Sequence, residues 1–145
     1  MSTVLIIGAS RGIGYDTVRL ALKEGHSVRA MARSANAIRL HDPKLEKLDG
    51  DALDQHMIER ALAGVDAVIQ TLGVSPTPEL RRSRLDWTIV RPTVLTTGAR
   101  TGTYRVLVEA RDWRSGFISR ADVADFLVKQ IDDGGLIHKT PVLTG

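Results

Sequence analysis

The sequence predicts an α/β protein built on a parallel sheet, regular in its first half and shortened in its second. Three observations carry that expectation. Short, continuous apolar runs end at glycine or polar residues, as strands buried on both faces do. Segments with apolar residues at helical spacing separate these runs. Strand and helix alternate in order through the first half, the pattern of right-handed βαβ crossovers.

Each element has its own signal. Thr3–Ile7 is an apolar run that stops at Gly8. Residues 12–24 place Ile13, Val18, Leu20, Ala21 and Leu22 for a helix, and Gly25 follows as its C-terminal cap. Residues 27–31 form a second strand, residues 35–40 a short helix and residues 45–48 a third strand. A helix over 54–62 is capped by Asp51 or Asp54 and ends at Gly64. Residues 67–71 form a fourth strand, closed by Leu72 and Gly73. Beyond it the signals thin. Residues 74–78 read as a breaker, 79–85 as two helical turns, and 87–90 as a strand running into Arg91 and Pro92. A glycine-containing loop spans 98–102, a strand 104–108, and an edge strand 141–144. Ser119 with Asp122 three residues on reads as a capping-box variant opening a helix to Ile131. No repeat, low-complexity tract or linker interrupts the chain, so a single domain over 1–145 is expected.

Composition narrows the function classes. The 145 residues are 43% hydrophobic and 26% charged, which is ordinary for a globular protein, and only 4% aromatic. The net charge is +3, with 20 basic and 17 acidic residues, and no basic tail accompanies it. Arg81, Arg82 and Arg84 are the densest basic cluster, and no aromatic residues interleave with them, so no nucleic-acid partner is expected. The absence of cysteine excludes disulfides, thiolate nucleophiles and cysteine metal sites. His26, His41, His56 and His138 are scattered without ligand spacing, so no metal site is expected. No apolar run reaches membrane-span length and no signal pattern opens the chain, which makes a cytoplasmic protein without membrane contact the expectation. The oligomeric state is left open.

The chemistry concentrates in Gly8-Ala9-Ser10-Arg11-Gly12-Ile13-Gly14, between the first strand and the first helix. In that context a glycine-rich turn binds a dinucleotide. The first glycine permits the tight turn, the second lets the backbone approach a pyrophosphate, and the third lets helix and sheet pack closely. The pyrophosphate then meets the free N–H groups and positive dipole end of the helix. The end of the second strand distinguishes the cofactors. NAD binders place an acid there for the ribose 2′-hydroxyl. This chain has Met31-Ala32-Arg33-Ser34. Arg33 can clamp a 2′-phosphate, with Arg11 as a second positive charge, so NADP(H) is expected ahead of NAD(H). The plainer alternative is a solvated arginine at a strand end.

These residues, with Gly50-Asp51, Leu72-Gly73, the segment from Leu85 through Trp87 to Arg91-Pro92, and the segment from Ile118 to Asp125, resemble the atypical short-chain dehydrogenase/reductases. The likeness is greatest to their NAD(P)H-binding, NmrA-like branch and runs through nearly the whole chain. The resemblance implies a Rossmann-like doubly wound parallel sheet in three layers. It also implies that Gly8, Ser10, Arg11, Gly12, Ile13 and Gly14 line the pyrophosphate and that Arg33 holds the 2′-phosphate. Asp51 and Ala52 would meet the adenine, Thr71, Leu72 and Gly73 its ribose, and Pro92 and Thr93 the nicotinamide.

Two departures qualify the likeness. The superfamily's catalytic pair is a tyrosine with a lysine four residues on, whereas Tyr15 and Tyr104 are followed at that distance by Arg19 and Val108. No catalytic residue is assigned. Moreover, only residues 74–86 separate Gly73 from Trp87, where relatives hold a further strand and helices. A natural short form, a deletion, or a segment missing near 74–78 would each account for this. Two functions stay open: an NADPH-dependent oxidoreductase acting on a small carbonyl, quinone or flavin-like acceptor, and a non-catalytic NADP(H) sensor or binding module. An epimerase-like activity would need the missing tyrosine–lysine pair.

Overall fold

A computed structural model describes residues 1–73 and 77–145 and divides the chain into two compact units, Met1–Leu72 and Gly73–Gly145. The first unit is a four-stranded parallel sheet ordered β3-β2-β1-β4, from strands β1 (Thr3–Ile7), β2 (Ser27–Ala32), β3 (Leu45–Asp49) and β4 (Ala67–Gln70). β1 lies between β2 and β4, with Val4 opposite both Val28 and Ala67. That central place explains its unbroken apolar run: Val4, Leu5 and Ile6 are fully buried. Helices α1 (Gly12–Lys23) and α2 (Gln55–Leu62) make the crossovers. Leu5, Ile7 and Met31 pack with Ala61 of α2, and Leu48, Met57, Ile58 and Val65 close that layer. α1 buries Val18, Leu20 and Ala21, its apolar stripe.

Local chemistry sets the helix ends. Gly25, at φ +92°, turns the chain out of α1. Asp54 caps α2, its carboxylate accepting the N–H groups of His56 and Met57, and Gly64 at φ +73° follows its end. The helix expected over 35–40 is only the 3₁₀ turn Ala35–Ala37. Ile38 leaves it in extended backbone and is buried, and Lys47 Nζ holds the Ile38 carbonyl at 2.6 Å, so no further turn can wind.

The second unit departs further from expectation. α3 (Pro78–Arg82) is shorter than predicted and starts at Pro78 itself. Proline suits the first helical position, and the Thr77 hydroxyl caps it by accepting the Leu80 N–H. The rest of the predicted breaker, residues 74–76, lies outside the described residues. The strand expected over 87–90 is not formed; β5 is Arg91–Pro92 alone. Ile89 and Arg91 do bond to the Lys139 and Pro141 carbonyls, but His138 opposite Trp87 has φ +63°, which breaks the partner's ladder there. β9 (Val142–Thr144), expected at an edge, is the middle strand of β5-β9-β7. It runs parallel to β5 and antiparallel to β7 (Arg105–Leu107), and Leu143 is fully buried between them. Two short strands were not anticipated: β6 (Val94–Thr96) and β8 (Phe117–Ser119) pair in parallel. α4 (Arg120–Lys129) starts at Ser119, whose hydroxyl accepts the Asp122 N–H at 3.0 Å, and ends slightly before Ile131. Among the described residues no helix is long and apolar enough to cross a membrane.

Candidate functional site

The glycine turn closes in three directions. Gly8 leaves β1 at φ +83°, and its N–H donates to the Met31 carbonyl at 3.0 Å, joined by the Ala9 N–H at 3.3 Å. The turn is thereby tied to the end of β2. Thr71, just after β4, ties the other side: its N–H reaches the Ile7 carbonyl at 3.0 Å, and its hydroxyl lies 2.8 Å from the same oxygen and 3.2 Å from that of Gly8. A Cβ on Gly8 would lie 2.7 Å from Thr71 Oγ1 and 3.1 Å from Leu72 Cδ2. A Cβ on Gly14 would collide with the Gly8 carbonyl oxygen.

Gly12 is different. It has φ +59°, and a Cβ there would meet nothing within 4 Å. The space ahead of the helix is open, and the helix end facing it is uncapped. Arg11, at the N-cap, makes no side-chain capping bond, and the first turn carries no acid. The Tyr15 N–H makes the first helical bond, to Arg11 at 3.3 Å, so the N–H groups before it point out of the helix end. Backbone donors, a positive dipole end and the exposed side chains of Ser10 and Arg11 form a cradle suited to an anion. Ile13 is half-buried behind it.

Arg33 follows the last residue of β2 and is exposed, and its guanidinium has no hydrogen bond or ion pair among the described residues. Its turn is anchored by two residues that sequence reasoning did not single out. Asp49, the last residue of β3, accepts the Asn36 N–H at 2.9 Å and the Asn36 side-chain amide at 2.6 Å, one on each carboxylate oxygen. Those donors, the backbone N–H first, hold the Asp49 carboxyl below the usual carboxylate range. Asp51 is exposed and its carboxylate accepts the Leu53 N–H at 2.9 Å, while Ala52 packs half-buried against the α2 layer. Leu72 is 42% exposed at the end of the first unit.

The other assigned residues belong to the second unit. Gly73 opens it and is exposed. Pro92 ends β5, and Thr93 follows with its N–H on the Leu143 carbonyl at 2.9 Å and its hydroxyl 3.1 Å from that of Thr144. The same unit holds Tyr104, whose hydroxyl donates to Asp125 at 2.8 Å. Asp125, almost fully buried, also pairs with Lys129 at 2.6 Å and Arg100 at 3.2 Å. Burial, then the Asp125 carboxylate, raise the Tyr104 pKa well above the usual phenol value. Neighbouring Asp122 accepts the N–H groups of Thr101 and Gly102 and the Thr101 hydroxyl, latching that loop to α4.

A parallel sheet in the order β3-β2-β1-β4, with a glycine turn leading from its central strand into an uncapped helix, defines a Rossmann-like dinucleotide-binding protein. More particularly, the chain belongs to the NAD(P)H-binding family, whose model matches residues 8–79 and 77–134. The two matched segments meet inside the short connection after β4. The chain is 38% identical over 79 residues to an uncharacterized oxidoreductase of Schizosaccharomyces pombe; this covers 50% of the chain and only 27% of that relative's length. Among solved structures, a Rossmann-fold NAD(P)-binding family protein from Shigella flexneri superposes with a TM-score of 0.86 at 21% identity, over 99% of this chain and 93% of that one. A wide-type short-chain dehydrogenase/reductase from Veillonella parvula, in complex with NADP, gives 0.82 at 15% identity over 99% and 94%.

Proposed function

We propose that this chain binds NADP(H) in preference to NAD(H) and acts as an NADPH-dependent oxidoreductase on a small carbonyl, quinone or flavin-like acceptor. The observation that carries the cofactor reading is the pair formed by an open, uncapped α1 N-terminus and an Arg33 that has no ion pair among the described residues, at the place where NAD binders carry an acid. In this reading Gly8, Ser10, Arg11, Gly12, Ile13 and Gly14 hold the pyrophosphate and Arg33 the 2′-phosphate. Asp51 and Ala52 bound the adenine, and Thr71, Leu72 and Gly73 its ribose. Pro92 and Thr93 are assigned to the nicotinamide by the family resemblance alone. The cofactor, when bound, supplies the hydride. The oxidoreductase description of the yeast relative and the NADP complex of the Veillonella protein support the reading.

A second reading, a non-catalytic NADP(H) sensor, is favoured by one observation. The Tyr104 hydroxyl is committed to Asp125 and its pKa is raised, so it is a poor proton donor. A screen of NADPH oxidation against quinones, flavins and aldehydes separates the two. Turnover with any acceptor supports the enzyme. Binding of NADPH with no turnover across all three classes rejects it and leaves the sensor.

A further inference from the structure

We infer that Thr71 is a positioning residue for the cofactor's pyrophosphate: its hydroxyl pins the glycine turn from the β4 side and keeps the N–H groups at the start of α1 converged. The inference rests on the proposed pyrophosphate role of that turn, and it gives Thr71 a task separate from bounding the adenine ribose. The hydroxyl donates to the Ile7 carbonyl at 2.8 Å and lies 3.2 Å from the Gly8 carbonyl oxygen. A Cβ on Gly8 would lie 2.7 Å from Thr71 Oγ1, and a Cβ on Gly14 2.8 Å from it. The hydroxyl thus fills space that side chains on both glycines would need. One oxygen atom sits against the end of β1, the first residue of the turn and the first turn of α1.

Thr71 completes a support that would otherwise come from β2 alone. On that side the Gly8 and Ala9 N–H groups donate to the Met31 carbonyl at 3.0 and 3.3 Å. On the β4 side the Thr71 N–H donates to the Ile7 carbonyl at 3.0 Å, which holds the end of the strand but not the turn. The hydroxyl reaches further, to Gly8, whose φ of +83° starts the turn. The Gly8 carbonyl is also the atom against which Gly14 packs, so closely that a Cβ on Gly14 would collide with it. The orientation of the Gly8 peptide therefore passes directly to the first turn of α1, where the uncapped N–H groups lie. An anion site made of backbone donors binds well when those donors are aimed before the ligand arrives. Both nicotinamide dinucleotides carry the pyrophosphate, so Thr71 acts on their common affinity and not on the choice between them.

The test measures NADPH and NADH dissociation constants for the wild type, Thr71→Val, Thr71→Ser and Gly12→Ala, and follows amide hydrogen exchange at Gly8 and Ala9 in the protein without cofactor. Valine keeps the shape of the side chain and removes the hydroxyl, whereas serine keeps the hydroxyl. If circular dichroism shows that Thr71→Val does not fold, Thr71→Ala takes its place, because it sets no methyl group against the two carbonyls. Loss of the hydroxyl is expected to weaken NADPH and NADH by the same factor, about fivefold, and to speed exchange at Gly8 and Ala9, with Thr71→Ser close to the wild type in both. Unchanged affinity for both cofactors without the hydroxyl overturns the inference, while a loss in Gly12→Ala leaves the pyrophosphate reading standing. Weaker binding with unchanged exchange also overturns it, because Thr71 would then act on the ribose directly. Unequal losses for the two cofactors, or a serine variant that behaves like the valine one, count against it in the same way. Normal binding in Gly12→Ala overturns the inference and the pyrophosphate reading together.

Discussion

At the scale of single residues, the three glycines of one motif do different physical work, and the difference can be measured. Gly14 is a packing glycine: a Cβ would run into the Gly8 carbonyl and lie 2.8 Å from Thr71 Oγ1. Those neighbours are backbone and a hydrogen-bonded side chain, so they cannot yield cheaply. Gly14→Ala is expected to cost about 3 kcal/mol in urea denaturation, the upper end of overpacking penalties. Gly12→Ala meets no neighbour, and its φ of +59° adds only the left-handed strain of about 1–2 kcal/mol. Its Cβ enters the open space ahead of α1, so NADPH affinity is expected to fall more than tenfold. If Gly12→Ala proves the more destabilising variant and binds NADPH normally, the space at Gly12 has no ligand role. The glycine spacing and Arg33 were readable in the sequence because both rest on local chain geometry. The Asn36–Asp49 clamp was not, because its partners are 13 residues apart and meet only when β2 and β3 pair.

At the scale of elements, legibility followed the reach of the interactions. β1, α1, β2, β3, α2 and β4 were predictable because each carries its own pattern: buried runs, helical spacing, and glycine or Asp54 at the ends. The second unit depends on partners far along the chain. The 87–90 segment has strand-like composition, yet its fate is set by the backbone of His138. β6 and β8 are three residues each and too short to show alternation. α4 was legible at its Ser119 cap, where Asp122 read only as the acid of a capping-box variant. Asp122 is instead buried and bonded. Burial alone raises its pKa, but the N–H of Gly102 and the hydroxyl and N–H of Thr101 outweigh that and hold it below the ordinary 3.8. A carboxyl depressed in the folded state stabilises fully above its unfolded value and loses that contribution as pH falls through the folded one. Asp122→Asn is expected to cost roughly 1–3 kcal/mol near neutral pH and to flatten the acid limb of stability below about pH 4. Urea titrations from pH 2 to 7 check this, and an unchanged acid slope in the variant contradicts it.

At the scale of the whole molecule, the chain matches its family as a pair of segments. The first begins at the glycine turn and runs through α1, β2, β3, α2 and β4, and the second matches separately from residue 77. The residues proposed to hold the pyrophosphate and the 2′-phosphate, Gly8 to Gly14 and Arg33, all lie in the first unit, Met1–Leu72. Cofactor binding is thus the part of the proposed function that the first unit tests directly. The decisive measurement is isothermal titration of NADPH and NADH into the wild-type protein and Arg33→Ala. NADPH should bind the wild type at least tenfold more tightly than NADH, and Arg33→Ala should remove about 1.5–3 kcal/mol of NADPH binding while leaving NADH unchanged. Equal affinities in the wild type, or no binding of either cofactor, would contradict the account.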